Sequence, residues 1–126
     1  MKLSTLLSIV AVVSILFGIA FVLVPAAVLA QYGTTDPDVH TIYMSRFFGS
    51  ALIQVGILLW LARNIVDTLG RRAIVLSGLI GTAIGFLVSL QGQMNGLANA
   101  LGWSTVVIYA LFAVAFAYFQ FGAKSS

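Results

Sequence analysis

The fold is decided first by residues 3–24, which read LSTLLSIVAVVSILFGIAFVLV and contain no charged side chain. An α-helix of this length, rising about 1.5 Å per residue, crosses the roughly 30 Å hydrocarbon core of a membrane. Three further apolar stretches of similar length lie at residues 42–62, 73–91 and 103–121. The sequence therefore predicts an all-α integral membrane protein, with four helices bundled in a single domain over residues 1–126.

The overall composition agrees with a lipid environment. Hydrophobic residues make up 61% of the chain and charged residues 7%, whereas a soluble domain averages about 25% charged residues. So little charge cannot cover so much apolar surface in water. The net charge of +3 comes from cations scattered at the ends of the apolar stretches. Because no basic stripe is formed, we expect no nucleic-acid partner.

Residue usage also excludes several functions. The chain has no cysteine, which excludes disulfides, Cys-ligated zinc, iron–sulfur clusters and thiol redox chemistry. Its single histidine, His40, leaves bis-histidine haem ligation and His-rich metal sites without support. We also find no pairing of a nucleophile with a base. The sequence therefore predicts a protein that is not an enzyme and needs neither metal nor cofactor.

The placement of the basic residues predicts the orientation in the membrane. Residues 31–41 and 92–102, which connect apolar stretches, contain no Lys or Arg. Connecting segments rich in Lys and Arg remain on the cytoplasmic side. We expect both termini to be cytoplasmic in a multi-pass cell-membrane protein, with a bacterial inner membrane as the expected location. Five of the six basic residues flank the apolar stretches: Lys2, Arg63, Arg71, Arg72 and Lys124.

Residues 25–30 raise an alternative for the first stretch. They read PAAVLA ahead of Gln31, and the small side chains resemble a signal-peptidase site. The apolar core before them is longer than the roughly 7–15 residues of a signal peptide. We therefore expect residues 3–24 to be retained as a helix, and cleavage would leave three helices in the same orientation.

The sixth cation, Arg46, is the leading candidate for function. Sixteen residues of helix follow it in the second stretch, which places it about 6 Å inside the outer edge of the hydrocarbon core. Ser50 and Gln54 follow at four-residue intervals and share its helix face. Gln54 falls near the membrane centre, where an amide without a partner costs several kcal/mol. We therefore expect this face to point into the bundle.

Two interpretations of Arg46 remain open. Its side chain can reach the outer headgroups or pair with Asp36 or Asp38, which makes it an anchor. It can instead bind an anionic or carbonyl group of a ligand, lipid or partner. His40, beside those two carboxylates, can act as a proton-linked switch or simply be hydrated. The candidate ligand-binding residues are Arg46, Ser50, Gln54, His40 and Gln93.

Small residues predict where helices pack. Gly78, Gly81 and Gly85 form a stripe on the third stretch, and Gly81 with Gly85 is a small-xxx-small pair that lets two helix backbones approach closely. Ala113 and Ala117 share a face of the fourth stretch. We expect the glycine stripe to pack against the first or second helix. The alternative is a contact with another copy of the chain or with a partner protein.

A resemblance is carried by residues 45–49, which read SRFFG and open the second stretch, together with Gly56, Trp60 and Arg63 near its end. Over about residues 40–120 the chain is similar to small bacterial four-helix membrane families of unknown function. The resemblance implies a membrane fold and no activity. Its remaining residues follow the third stretch: Gly92, Asn99, Gly102 and Trp103.

A fainter likeness is to the ergosterol-biosynthesis scaffold family of fungi and animals, in which an Arg-x-Phe-Gly motif opens a transmembrane helix that ends in Arg. Arg46, Phe48 and Gly49 match that motif, and Arg63 matches the end. This likeness implies a membrane scaffold and no catalysis.

Together these observations predict a non-catalytic accessory or scaffold subunit of a larger membrane assembly. Its expected partners are the lipid bilayer and either another membrane protein or further copies of the chain. The alternatives are a binding or transport module for a small hydrophobic or anionic ligand, with its site near Arg46 open to the outer face, and a pore formed by oligomerisation.

Overall fold

The computed structural model describes residues 1–122, and within that range the chain is helical with no strand. Four of its helical segments are long and apolar enough to cross a membrane. This confirms the predicted all-helical, four-span composition, while Lys124 lies outside the described residues. The elements are α1 (Leu3–Leu23), α2 (Pro25–Gln31), α3 (Val39–Leu61), α4 (Thr68–Met94), α5 (Gly102–Ala117) and a π-helical turn, Tyr118–Gly122, that continues α5.

The short helix α2 is an element that the apolar pattern did not reveal. Pro25 is its first residue, a position that suits proline because its missing N–H has no helical partner there. The preceding residue, Val24, has a φ of −134° and a ψ of 55°, outside the helical region that proline disfavours for its predecessor. The break between α1 and α2 therefore follows from Pro25, and the segment that resembles a cleavage site is helical.

Helices α3 and α4 begin earlier than predicted because aspartates cap them. The Asp38 carboxylate accepts a hydrogen bond from the Thr41 N–H at 2.8 Å, so α3 starts at Val39 rather than at residue 42. The Asp67 carboxylate accepts from the Gly70 N–H at 2.7 Å. Such caps satisfy amides that the first turn leaves without partners. Helix α4 therefore includes Arg71 and Arg72 in its first turns, where the prediction had a loop.

One compact unit comprises residues 3–63, in which α1 and α3 pack along each other. Their backbones meet at Gly18 and Gly49, since a Cβ on either glycine would lie 2.7 Å from the carbonyl oxygen of the other. A Cβ on Gly56 would likewise lie 2.9 Å from the Ala11 carbonyl oxygen. These glycines allow the close helix contact that side chains would prevent.

Helix α3 ends with a local cap. The Arg63 Nη1 donates to the Trp60 carbonyl oxygen at 2.6 Å, and its Cζ lies 4.1 Å from the centre of the Trp60 ring. A cation over an indole face is attracted by the ring electrons, and a donor at a helix C-terminus satisfies a free carbonyl.

The second compact unit covers residues 64–122 of the described chain and contains the helical hairpin of α4 and α5. The Phe116 ring covers Gly78, where an added Cβ would lie 2.5 Å from the ring. The Tyr109 ring covers Gly85 in the same way. The side chains that fill the space over these two glycines therefore come from α5, whereas the sequence had favoured the first or second helix.

Candidate functional site on helix α3

The polar face of α3 is exposed at the surface of the molecule. Arg46, Ser50 and Gln54 follow one another at four-residue intervals, and all three are exposed, whereas Gly49 and Gly56 are buried. At about 100° per residue, the centres of the polar and glycine faces lie roughly a third of a turn apart. Within the first unit, these three side chains therefore do not pack against α1. The reason is that α1 packs against the glycines, where the backbones come closest.

Ser50 is satisfied on its own helix. Its Oγ donates to the Phe47 carbonyl oxygen at 3.2 Å, a local bond that a serine in a helix often makes. Gln54 is different. Within residues 1–122 its amide has no hydrogen bond, and the side chain is exposed.

Arg46 has no hydrogen bond or ion pair within the described part of the chain. Its predicted ion pair with Asp36 or Asp38 is not formed there. Asp38 instead caps α3, and Asp36 takes the left-handed backbone conformation, with a φ of 53°, which Asp tolerates better than most residues. The guanidinium is exposed on a helix face that also exposes Phe47.

The hydrogen bonds by which Asp38 caps α3 stabilise its charged carboxylate. Hydrogen bonding from Thr41, chiefly from the backbone N–H, lowers the pKa of the Asp38 carboxyl below its ordinary value, because the bonds stabilise the charged form. His40, the other candidate in this segment, lies exposed in the first turn of α3.

Gln93 belongs to the second unit and closes the loop between α4 and α5. Its Nε2 donates to the Asn99 carbonyl oxygen at 2.9 Å, and its Oε1 occupies the place that a Cβ on Gly102 would take. The amide predicted as a ligand-binding group is thus engaged in the loop. Sequence reasoning missed this role because the bond joins residues across an irregular turn.

Of the predicted packing residues, Gly78 and Gly85 lie under rings of α5, and Ala113 and Ala117 are half-buried on α5. Gly81 is exposed, and a Cβ added to it would meet no atom within 4 Å. Among residues 1–122, no cluster of three or more His, Asp or Glu side chains could hold a metal ion.

The four apolar helices define the class of molecule, a helical multi-pass membrane protein. Comparisons of the chain with protein-family models, with curated proteins and with solved structures each find no match.

Proposed function

We propose that the protein is a non-catalytic accessory or scaffold subunit that binds another membrane protein through the polar face of α3, formed by Arg46, Ser50 and Gln54. The observation that carries the proposal is the exposed Gln54 amide, which has no hydrogen bond within residues 1–122.

The depth of Gln54 makes this exposure costly in lipid. Gln54 lies seven positions before Leu61, the last residue of α3, so it is about 10 Å from that helix end and inside a core of roughly 30 Å. Hydrocarbon offers an amide no hydrogen-bond partner, and leaving one unsatisfied there costs several kcal/mol. A polar group of a neighbouring protein would remove that cost.

The shape of the face suits a second helix. Ser50 and Ala51 are small and exposed, so a partner backbone can approach closely between Arg46 and Gln54. Hydrogen bonds between membrane helices contribute about 0.6–2 kcal/mol each. We expect the partner helix to carry a hydrogen-bonding side chain opposite Gln54 and an acidic or carbonyl group opposite Arg46.

Photo-crosslinking in native membranes tests the proposal. A photoreactive residue at Ser50 should give one discrete crosslinked species, whereas the same residue at Ile80, an exposed apolar position on α4, should give none of that mass. Gln54→Leu should reduce the yield at Ser50, and the matched apolar change Val55→Leu should not.

The partner band also identifies the assembly. A band at twice the protein's mass would show a homo-oligomer, and a band of another mass would show a different subunit. The proposal fails if the Ser50 probe yields only lipid adducts and the purified protein is monodisperse without a stoichiometric partner.

Arg46 makes no hydrogen bond or ion pair within residues 1–122, and this favours a second function, the binding of a small anionic or carbonyl ligand at the outer face. In that case Arg46→Ala should abolish stabilisation by the ligand and leave the fold intact, while Gln54→Leu should retain most of it. A ligand response that survives Arg46→Ala would exclude this function.

A further inference from the structure

A cavity of about 380 Å³ lies in the second unit, between the start of α4 and the end of α5. Its volume falls within the roughly 300–1,000 Å³ of small-ligand sites. Four polar side chains and an apolar floor line it. The polar residues are Thr68, Arg71, Arg72 and Gln120, and the floor includes Val75 and Phe119.

Helical spacing explains how the cavity forms. Arg71 and Arg72 follow Thr68 and precede Val75 by three or four residues, so these side chains share one face of the first turns of α4. The hairpin brings the π-helical turn at the end of α5 alongside this face. Val75 and Phe119 are 4% and 8% exposed, so these two side chains form a buried apolar floor beneath an opening to the surface.

The two arginines have no partner in the described chain. Within residues 1–122 neither guanidinium makes a hydrogen bond or an ion pair. The nearby acid, Asp67, caps α4 through the Gly70 N–H. Two cations in the first turns also oppose the helix dipole, which favours negative charge at that end. An anion in the cavity would interact favourably with both guanidinium groups and with the dipole.

The depth of the cavity in the membrane limits which ligands it can bind. Helix α4 runs from Thr68 to Met94 and is about 40 Å long, so its ends extend beyond a core of roughly 30 Å. Since the arginines are in its first turns and the apolar stretch begins just after them, the cavity lies at the depth of lipid headgroups. Its charged rim and apolar floor match a molecule that has an anionic head and an apolar body.

We infer that this cavity binds a phosphate group, held by Arg71 and Arg72, with the apolar part of the same molecule against Val75 and Phe119. A single guanidinium group can donate two parallel, charge-assisted hydrogen bonds to two oxygens of one phosphate. The phosphate can belong to an anionic phospholipid or to a small soluble molecule. This site is separate from the polar face of α3, and its role does not depend on the function proposed for that face.

Lipid retention tests the inference. The purified full-length protein is reconstituted with equal amounts of phosphatidylglycerol and phosphatidylcholine, and the lipids that remain bound are counted by native mass spectrometry. The wild type should retain phosphatidylglycerol selectively. The double variant R71Q/R72Q should bind it about tenfold or more weakly, since a hydrogen bond to a charged group contributes about one factor of ten or more.

A charge-matched control separates a site from general attraction. The variant K2Q/R63Q also removes two positive charges, from residues that do not line the cavity, and it should retain phosphatidylglycerol like the wild type. Equal losses in the two double variants would overturn the inference, because attraction by net charge would then explain the binding.

Inorganic phosphate distinguishes the two sources of the ligand. The melting temperatures of the wild type and of R71Q/R72Q are measured in detergent without lipid, in phosphate and in chloride. A higher melting temperature in phosphate than in chloride for the wild type, with no difference for R71Q/R72Q, would indicate that the ligand is a soluble phosphate compound. Selective retention of phosphatidylglycerol without that response would indicate a lipid. If neither probe binds the wild type better than R71Q/R72Q, the inference is wrong.

Discussion

Gly18 on α1 and Gly49 on α3 face each other so closely that a Cβ on either would lie 2.7 Å from the carbonyl oxygen of the other. No side chain can enter that space unless the helices move apart. The contact therefore determines which side of α3 is buried. It also leaves Arg46, Ser50 and Gln54 exposed.

The first prediction concerns this glycine contact. Gly49→Ala should lower the free energy of unfolding by about 1–3 kcal/mol, the usual cost of forcing a group into a closely packed contact. The nearest atom, the Gly18 carbonyl oxygen, is backbone and cannot rotate away. Denaturation in detergent micelles measures the effect.

Gly81→Ala is the matched control, because a Cβ there meets no atom within 4 Å. It should be neutral or stabilise the protein by up to about 1 kcal/mol through helix propensity. Equal destabilisation by the two changes would show that the Gly18–Gly49 contact does not form.

The second prediction concerns the exposed amide on α3. In nanodiscs without a partner, Gln54→Leu should unfold at the same or a higher temperature than the wild type, because the variant no longer exposes an unsatisfied amide to lipid. Co-purification of the partner from membranes should fall with the same change. A large loss of stability in the nanodisc would instead show that Gln54 holds the fold together.

The third prediction concerns pH and the cap of α3. Because the native pKa of Asp38 is lowered from an ordinary value of 3.8, its contribution to stability is present above that value and is lost as the pH falls through the native pKa. Asp38→Asn still caps the helix but cannot titrate.

Melting temperatures recorded from neutral to acidic pH check this effect. The wild type should lose stability below about pH 4, where the unfolded carboxyl takes up its proton, and Asp38→Asn should show a shallower loss. Identical pH profiles for the two proteins would contradict the assigned cap.

Much of the fold could be predicted because it depends on local sequence. Long apolar stretches that carry at most one charged residue indicate the four membrane helices wherever they pack. Hydropathy places the starts of α3 and α4 too late, because a polar first turn, such as the one after Asp67, has the hydropathy of a loop. The capping residue is nevertheless a local sequence signal from which the start could be predicted. The break at Pro25 carried a similar local signal.

The candidate site could be predicted only in part. The four-residue spacing puts Arg46, Ser50 and Gln54 on one face. The direction of that face depends on the contact between Gly18 and Gly49. These two residues are far apart in sequence, and no local pattern predicts that they are in contact. The cavity at Arg71 and Arg72 was missed for the same reason, since its floor includes Phe119 from the far end of the hairpin.

The last prediction concerns the loop between α4 and α5. Gln93→Ala removes the hydrogen bond from Nε2 to the Asn99 carbonyl oxygen, 2.9 Å long, and should cost about 0.5–1.5 kcal/mol of stability. Gln91→Ala is the control, because that exposed side chain makes no hydrogen bond within the described residues, so its effect should stay within about 0.5 kcal/mol. Hydrogen exchange should locate the difference, with faster exchange in the loop of Gln93→Ala and unchanged exchange in Gln91→Ala. Equal effects of the two substitutions would mean that Gln93 does not hold this loop.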